Sequence, residues 1–184
     1  MERISTTVYG DDTVGKTALV LRFLRHCFIE NFHLCYDEVY LKEFTVGGRP
    51  VEICVQDLYR YEFLCPSGDE DLPANESFVL VYNIANRMSF IHLPQLRKRC
   101  LANNASAPIV LVGTHSDFEN RRQVTKAEAE QLAESWGCPF FETSAKTGEN
   151  VEEVFAEVVR EVRKARGDAA MNDNVNNDEK CTLM

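Results

Sequence analysis

The run Gly10-Asp11-Asp12-Thr13-Val14-Gly15-Lys16-Thr17 fits the pattern G-x-x-x-x-G-K-[ST]. Glycines at its two ends let a backbone wrap closely around phosphate groups, and the loop N–H groups then face the anion. Lys16 brings a positive charge to the β- and γ-phosphates, and the Thr17 hydroxyl suits Mg²⁺. The pattern carries this chemistry when a strand leads in and a helix leads out. Both flanks are right. The β-prone run Ile4 to Tyr9 precedes the loop, and the helical run Ala18-Leu19-Val20-Leu21-Arg22-Phe23-Leu24 follows it. A helix starting there also turns its positive end toward an anion. A chance glycine turn before a helix would leave the Lys16-Thr17 pair without a reason.

The rest of the chain must position that loop. Glu38 to Val46 and Pro50 to Gln56 read as two strands joined at Gly47-Gly48, a hairpin signal. Phe78 to Tyr82 and Ile109 to Gly113 are continuous apolar runs, as in strands buried on both faces. Phe140 to Thr143 reads as a last strand. Helices are expected over Ser89 to Leu101, where Pro94 kinks the helix or marks its true first turn. Another runs from the capping box Thr125-Lys126-Ala127-Glu128 to Trp136, closed by Gly137. Val151 to Arg166 follows, capped by Asn150 with Glu153 and ended by Gly167. Phe28 to Asp37 and Leu58 to Ala74 read as loops. The fold class is therefore α/β, a six-stranded, mostly parallel sheet with helices on both faces. Ligands of such sheets sit at the carboxyl ends of strands. The phosphate loop, Asp57, Asp117 and Ser144-Ala145-Lys146 all fall on that edge.

Composition narrows the classes. The 184 residues suit one domain, placed at 1–167, with a polar, disordered tail at 168–184. A net charge of −9 argues against a nucleic-acid surface. No basic segment followed by an apolar run opens the chain, and the apolar stretch Phe78 to Ile84 is too short to span a bilayer. Seven scattered cysteines read as free thiols of a reducing cytosol. His26, Cys27, His33 and Cys35 lie close together, but their spacing matches no zinc-finger pair, and zinc is not the reading adopted. A P-loop nucleoside kinase fits poorly, because no arginine-rich lid is visible.

These residues resemble the Ras superfamily of small GTPases, from Arg3 to about Arg166 and again in the last four residues. The resemblance implies the small GTPase-like P-loop fold. It also implies GTP or GDP as ligand and Mg²⁺ as cofactor. Phosphate contacts would come from Gly10, Asp12, Thr13, Val14, Gly15, Lys16, Thr17 and Ala18, with Thr17 and Asp57 on the metal. The family reads guanine with N-K-x-D, and here that segment is Thr114-His115-Ser116-Asp117. Asp117 would accept from the guanine N1 and N2 hydrogens. His115 departs from the family lysine, which lies along the base and braces the phosphate loop, and an imidazole reaches less far. Ser144, Ala145 and Lys146 resemble the second base-binding loop, and Phe28 stands where the family sets an aromatic edge-on to guanine. Taken alone, Phe28 reads equally well as a core residue.

The hydrolytic parts depart further. The family uses a switch threonine on Mg²⁺, a Gly N–H on the γ-phosphate and a Gln that orients water. No Ser or Thr lies between Thr17 and Thr45, and Cys35 stands at the matching position. A thiol is a poor ligand for hard Mg²⁺. Asp57 is followed by Leu58-Tyr59-Arg60-Tyr61 where the family has T-A-G-Q. Asp12 occupies a position that is Gly in Ras, near the entry of an activating arginine. Arg60 acting in cis as that arginine lacks a water-positioning partner. The expectation is slow or absent hydrolysis, with no catalytic residue assigned. The alternative is a pseudo-GTPase, a membrane-tethered interaction module that does not cycle nucleotide.

The chain ends Cys181-Thr182-Leu183-Met184, a C-a-a-X box whose terminal Met favours a farnesyl on Cys181. One lipid is a marginal anchor, so residence at the cytoplasmic face of a membrane is expected to be reversible. Effector or regulator proteins would read Phe32 to Tyr40, and the protein is expected to be a monomer.

Overall fold

The computed structural model describes residues 1–28, 38–58, 76–102 and 104–167. Within them, the strands are β1 (Glu2–Gly10), β2 (Glu38–Val46), β3 (Arg49–Asp57), β4 (Ser77–Asn83), β5 (Ile109–Thr114) and β6 (Phe140–Glu142). The helices are α1 (Lys16–Arg25), α2 (Arg87–Ile91), α3 (Leu93–Cys100), α4 (Lys126–Trp136) and α5 (Val151–Ala165). The strands form one sheet in the order β2-β3-β1-β4-β5-β6. β2 pairs antiparallel with β3 through the Gly47-Gly48 turn, and the other neighbours are parallel.

Alternation along the central strands divides the core. Val79 and Val81 of β4 join Ile4, Leu19, Phe23 and Phe155 on the α1/α5 face. Phe78, Leu80 and Tyr82 join Leu93, Leu96, Leu111 and Ala129 on the α2/α3/α4 face. Period-two strands with both faces apolar require helices on both sides, and the helices are there. The rings of Phe23 and Phe155 stack at 3.9 Å and fix α1 against α5.

Register sets the site. Val8 lies opposite Asp57, Gly10 opposite Val81, Asn83 opposite Thr114, and Gly113 opposite Glu142. The carboxyl ends of β1, β3, β4, β5 and β6 therefore share one edge, and the loops leaving them are neighbours.

One local expectation is settled between its two alternatives, and one needs revision. The stretch 89–101 is two helices that meet at His92, with Pro94 in the first turn of α3, so the proline marks a start. Asn150 does not cap α5 with its side chain. It sits in the left-handed region at φ 55°, and its amide donates to the Glu142 carbonyl at 2.7 Å. The capping box at Thr125 and Glu128 forms as the sequence predicts.

Candidate functional site

The phosphate loop leaves β1 at Gly10 and enters α1 at Lys16. A Cβ on Gly10 would lie 2.3 Å from the Val81 carbonyl oxygen, so no other residue lets β1 run this close to β4. Gly15 has φ 94°, a left-handed geometry that glycine adopts without strain. Thr13 also takes a positive φ, 60°, and being β-branched it is strained there. No side chain caps the N-terminus of α1, and its first turn holds no acidic residue, which leaves its N–H groups for an anion.

Lys16 is buried, and its Nζ donates to the carbonyls of Gly10 at 2.9 Å and Asp11 at 2.7 Å. Burial pushes the ammonium below its ordinary value, against the opposing pull of Asp57, Asp12 and Asp11. A desolvated cation with two neutral carbonyl partners is poised to take an anion. Asp57 ends β3 and is also buried. A hydroxyl at Thr17 and a carboxylate at Asp57 are hard oxygen donors and fit Mg²⁺, which takes its remaining ligands from water and phosphate. Among the described residues no group of three or more His, Cys, Asp or Glu is placed to hold a metal unaided. The ion would supply charge neutralisation beside bound phosphates. His26 turns Nδ1 to Glu152 at 3.3 Å.

The loop after β5 touches the phosphate loop directly. The Thr114 hydroxyl lies 2.5 Å from the Val14 carbonyl, 3.0 Å from the Tyr82 carbonyl and 3.0 Å from His115 Nδ1. One hydroxyl carries one proton. Donating it to Val14 leaves the oxygen to accept from Nδ1–H of His115. That tautomer makes a continuous relay from His115 through Thr114 to the phosphate loop. The ring reaches further than the sequence suggests, because a Cβ on Gly15 would lie 3.1 Å from His115 Cε1. His115 stands in the left-handed region at φ 62°, which aims the ring at the loop. Burial holds the imidazole below its ordinary value, with Asp117 opposing, so it is neutral near pH 7. The imidazole, shorter than the family lysine, lies against the phosphate loop at Gly15 and forms the brace together with Thr114.

Asp117 is exposed at the start of the 3-10 turn 116–121. Ser116 ties this turn to the loop after β6, its N–H donating to the Thr143 carbonyl at 3.0 Å and its hydroxyl to Glu149 at 2.7 Å. In that second loop the Ser144 side chain accepts from the Thr147 N–H at 3.1 Å, and its carbonyl accepts from Gly148 at 2.8 Å. Ala145 is half-buried and Lys146 exposed, both open to the same edge. Phe28 is 41% exposed and is not a core residue. Val39 and Leu41 are exposed on β2, at the edge of the sheet. Cys35, Arg60, Tyr61, Cys181 and the segment Phe32 to Asp37 lie outside the described residues.

A family model described as the Ras family matches residues 6–164. Ras-like protein rasB of Dictyostelium discoideum is 35% identical over 160 residues, covering 86% of this chain and 81% of that protein. The chain belongs to the Ras family. It carries the GTP-binding P-loop pattern of these small GTPases on the expected edge of the expected fold. Three residues around this Ras-family site were missed from sequence. His92 meets Asp11 at 2.7 Å from 81 positions away. Arg22 of α1 donates to the Thr147 carbonyl at 3.3 Å. Arg122 joins Glu119 after β5 to Glu142 on β6, which stiffens the base-side loops. None has a local signal, since each partner is set by the fold.

Proposed function

We propose that this Ras-like protein binds GTP and GDP with Mg²⁺ at the carboxyl edge of its sheet, hydrolyses GTP slowly or not at all, and signals from a membrane. The observation that carries the binding reading is the contact between the two halves of the edge. Thr114 and His115 of the base side brace Val14 and Gly15 of the phosphate side. Such a brace has a purpose when one ligand spans both. Asp117 would select guanine, with Ala145 and Lys146 against the base and Phe28 at its edge.

Slow hydrolysis is supported by composition at the reacting end. Residues 18–44 hold no hydroxyl side chain of Ser or Thr for Mg²⁺, and Leu58-Tyr59-Arg60-Tyr61 supplies neither the Gly nor the Gln of the family. Single-turnover hydrolysis of preloaded GTP tests this. The expected trace is nearly flat, and a rate like that of an ordinary family member contradicts it. The same residues favour a second reading, a pseudo-GTPase that holds nucleotide permanently or not at all. Membrane residence would come from a farnesyl on Cys181, and C181S should release the protein from membranes into the soluble fraction. Effectors would dock along Phe32 to Tyr40, continuous with the exposed Val39 and Leu41 of β2.

A further inference from the structure

Asp57, Asp12 and Asp11 all act on the Lys16 ammonium. A nucleotide held by its phosphates brings more negative charge to the same loop. Each carboxylate then works against binding unless a cation covers it or the fold turns it elsewhere. Asp57 is accounted for by Mg²⁺. Asp12 is exposed on the loop. Asp11 has a different partner, His92, whose Nδ1 lies 2.7 Å from Oδ2. A carboxylate oxygen only accepts, so Nδ1 carries the proton and donates.

His92 is well placed to hold that carboxylate still. It forms the joint between α2 and α3. Its N–H donates to the Met88 carbonyl at 3.1 Å, and its own carbonyl accepts from Gln95 at 3.0 Å and Leu96 at 3.1 Å. The next residue, Leu93, is fully buried in the α2/α3/α4 core. The ring therefore projects from a backbone fixed on both sides. The side chains of His92 and Asp11 remain 44% and 22% exposed, and a pair so open to water adds little to stability. Its consequence lies in where it leaves the charge.

We propose that His92 is a positioning residue for phosphate binding: its Nδ1–H holds the Asp11 carboxylate at the α2–α3 joint, so that the charge does not turn onto the anion site. This rests on the nucleotide reading above. It gives α2 and α3 a direct hold on the phosphate loop, independent of the brace from Thr114 and His115.

The test is the rate at which the full chain, loaded with Mg²⁺ and GDP carrying a methylanthraniloyl fluorophore, releases that nucleotide. His92→Ala should release it ~10-fold faster, the scale expected of one partly screened charge near the phosphates. His92→Asn, whose amide can donate from nearly the same place, should stay close to wild type. Asp11→Ala should release no faster than wild type, and the double variant Asp11→Ala/His92→Ala should behave like Asp11→Ala. An unchanged rate in His92→Ala overturns the proposal. So does a double variant as fast as His92→Ala, or an Asp11→Ala as fast as His92→Ala, because either makes the contact a structural strut with no charge to manage. These outcomes require that wild type loads. A wild type that takes up no labelled GDP overturns the nucleotide reading itself, and this assignment with it.

Discussion

The base side and the phosphate side of the same sheet edge are built differently. On the base side, the two loops are tied by hydrogen bonds and ion pairs between them, although the buried Thr143 hydroxyl has no partner among the described residues. Ser116 bonds Glu149 and the Thr143 carbonyl, Ser144 bonds Thr147, and Arg122 spans Glu119 and Glu142. On the phosphate side, one buried ammonium faces the pull of three carboxylates, and Thr13 is held in a strained conformation. On the base side Thr114 and His115 stand where the resemblance expects Asn and Lys, and they reach the phosphate loop at Val14 and Gly15. The phosphate side has kept its motif while changing its charge. The proposed function needs both at once: a braced base side to hold guanine, and a reacting end whose sequence lacks the parts that the family uses for hydrolysis.

Substitutions on each side should separate the two. The largest effect is expected at the base. Asp117→Ala removes an acceptor of charge-assisted hydrogen bonds, each worth about 1.5–3 kcal/mol. With two such bonds lost, GDP affinity measured by titration should fall roughly 10²–10⁴-fold, while ADP affinity should change little. Equal losses for both nucleotides would place Asp117 outside base recognition.

Thr114 belongs to both sides, so Thr114→Val should blur the contrast. It leaves the buried Val14 carbonyl without its donor, at a cost of about 1–3 kcal/mol in denaturant unfolding. It should also speed GDP release. Loss of stability with unaltered release would mean the brace serves the fold alone.

A smaller effect, of opposite sign, belongs to the phosphate side. Thr13→Gly relieves a left-handed φ that costs about 1–3 kcal/mol, less the extra entropy of glycine. Nucleotide-free protein should gain about 1 kcal/mol by the same assay. A loss instead would show that the Thr13 side chain makes a contact worth more than the strain.

The smallest effect is a pH dependence. Burial holds His115 below its ordinary value of 6.5, so the folded state prefers the neutral ring. That preference contributes fully above the unfolded value. It is lost as pH falls, because the unfolded chain takes up a proton that the folded chain resists. Stability should decline as pH drops below about 6.5, and His115→Asn should flatten the decline. An identical slope in the variant would assign the decline to other groups.

Much of this was legible in the sequence because its causes are local. The phosphate loop announces itself through Gly10, Gly15 and Lys16, the hairpin through Gly47-Gly48, and the start of α4 through Thr125 and Glu128. Strand–helix alternation then places Asp57, Asp117 and Ser144 on one edge without further information. What escaped was set by tertiary approach. Asn150 reads as a helix cap, but the Glu142 carbonyl takes its amide. The reach of His115 depends on how close β5 comes to the phosphate loop, and the Asp11–His92 contact joins residues with no pattern between them.

The most direct test of the account is the nucleotide content of the freshly purified protein, read by denaturation and chromatography. The account predicts a stoichiometric guanine nucleotide that persists as GTP after reloading. An empty protein with no affinity for GTP or GDP would contradict it, and would leave the braced edge as the relic of a pocket in a scaffold protein.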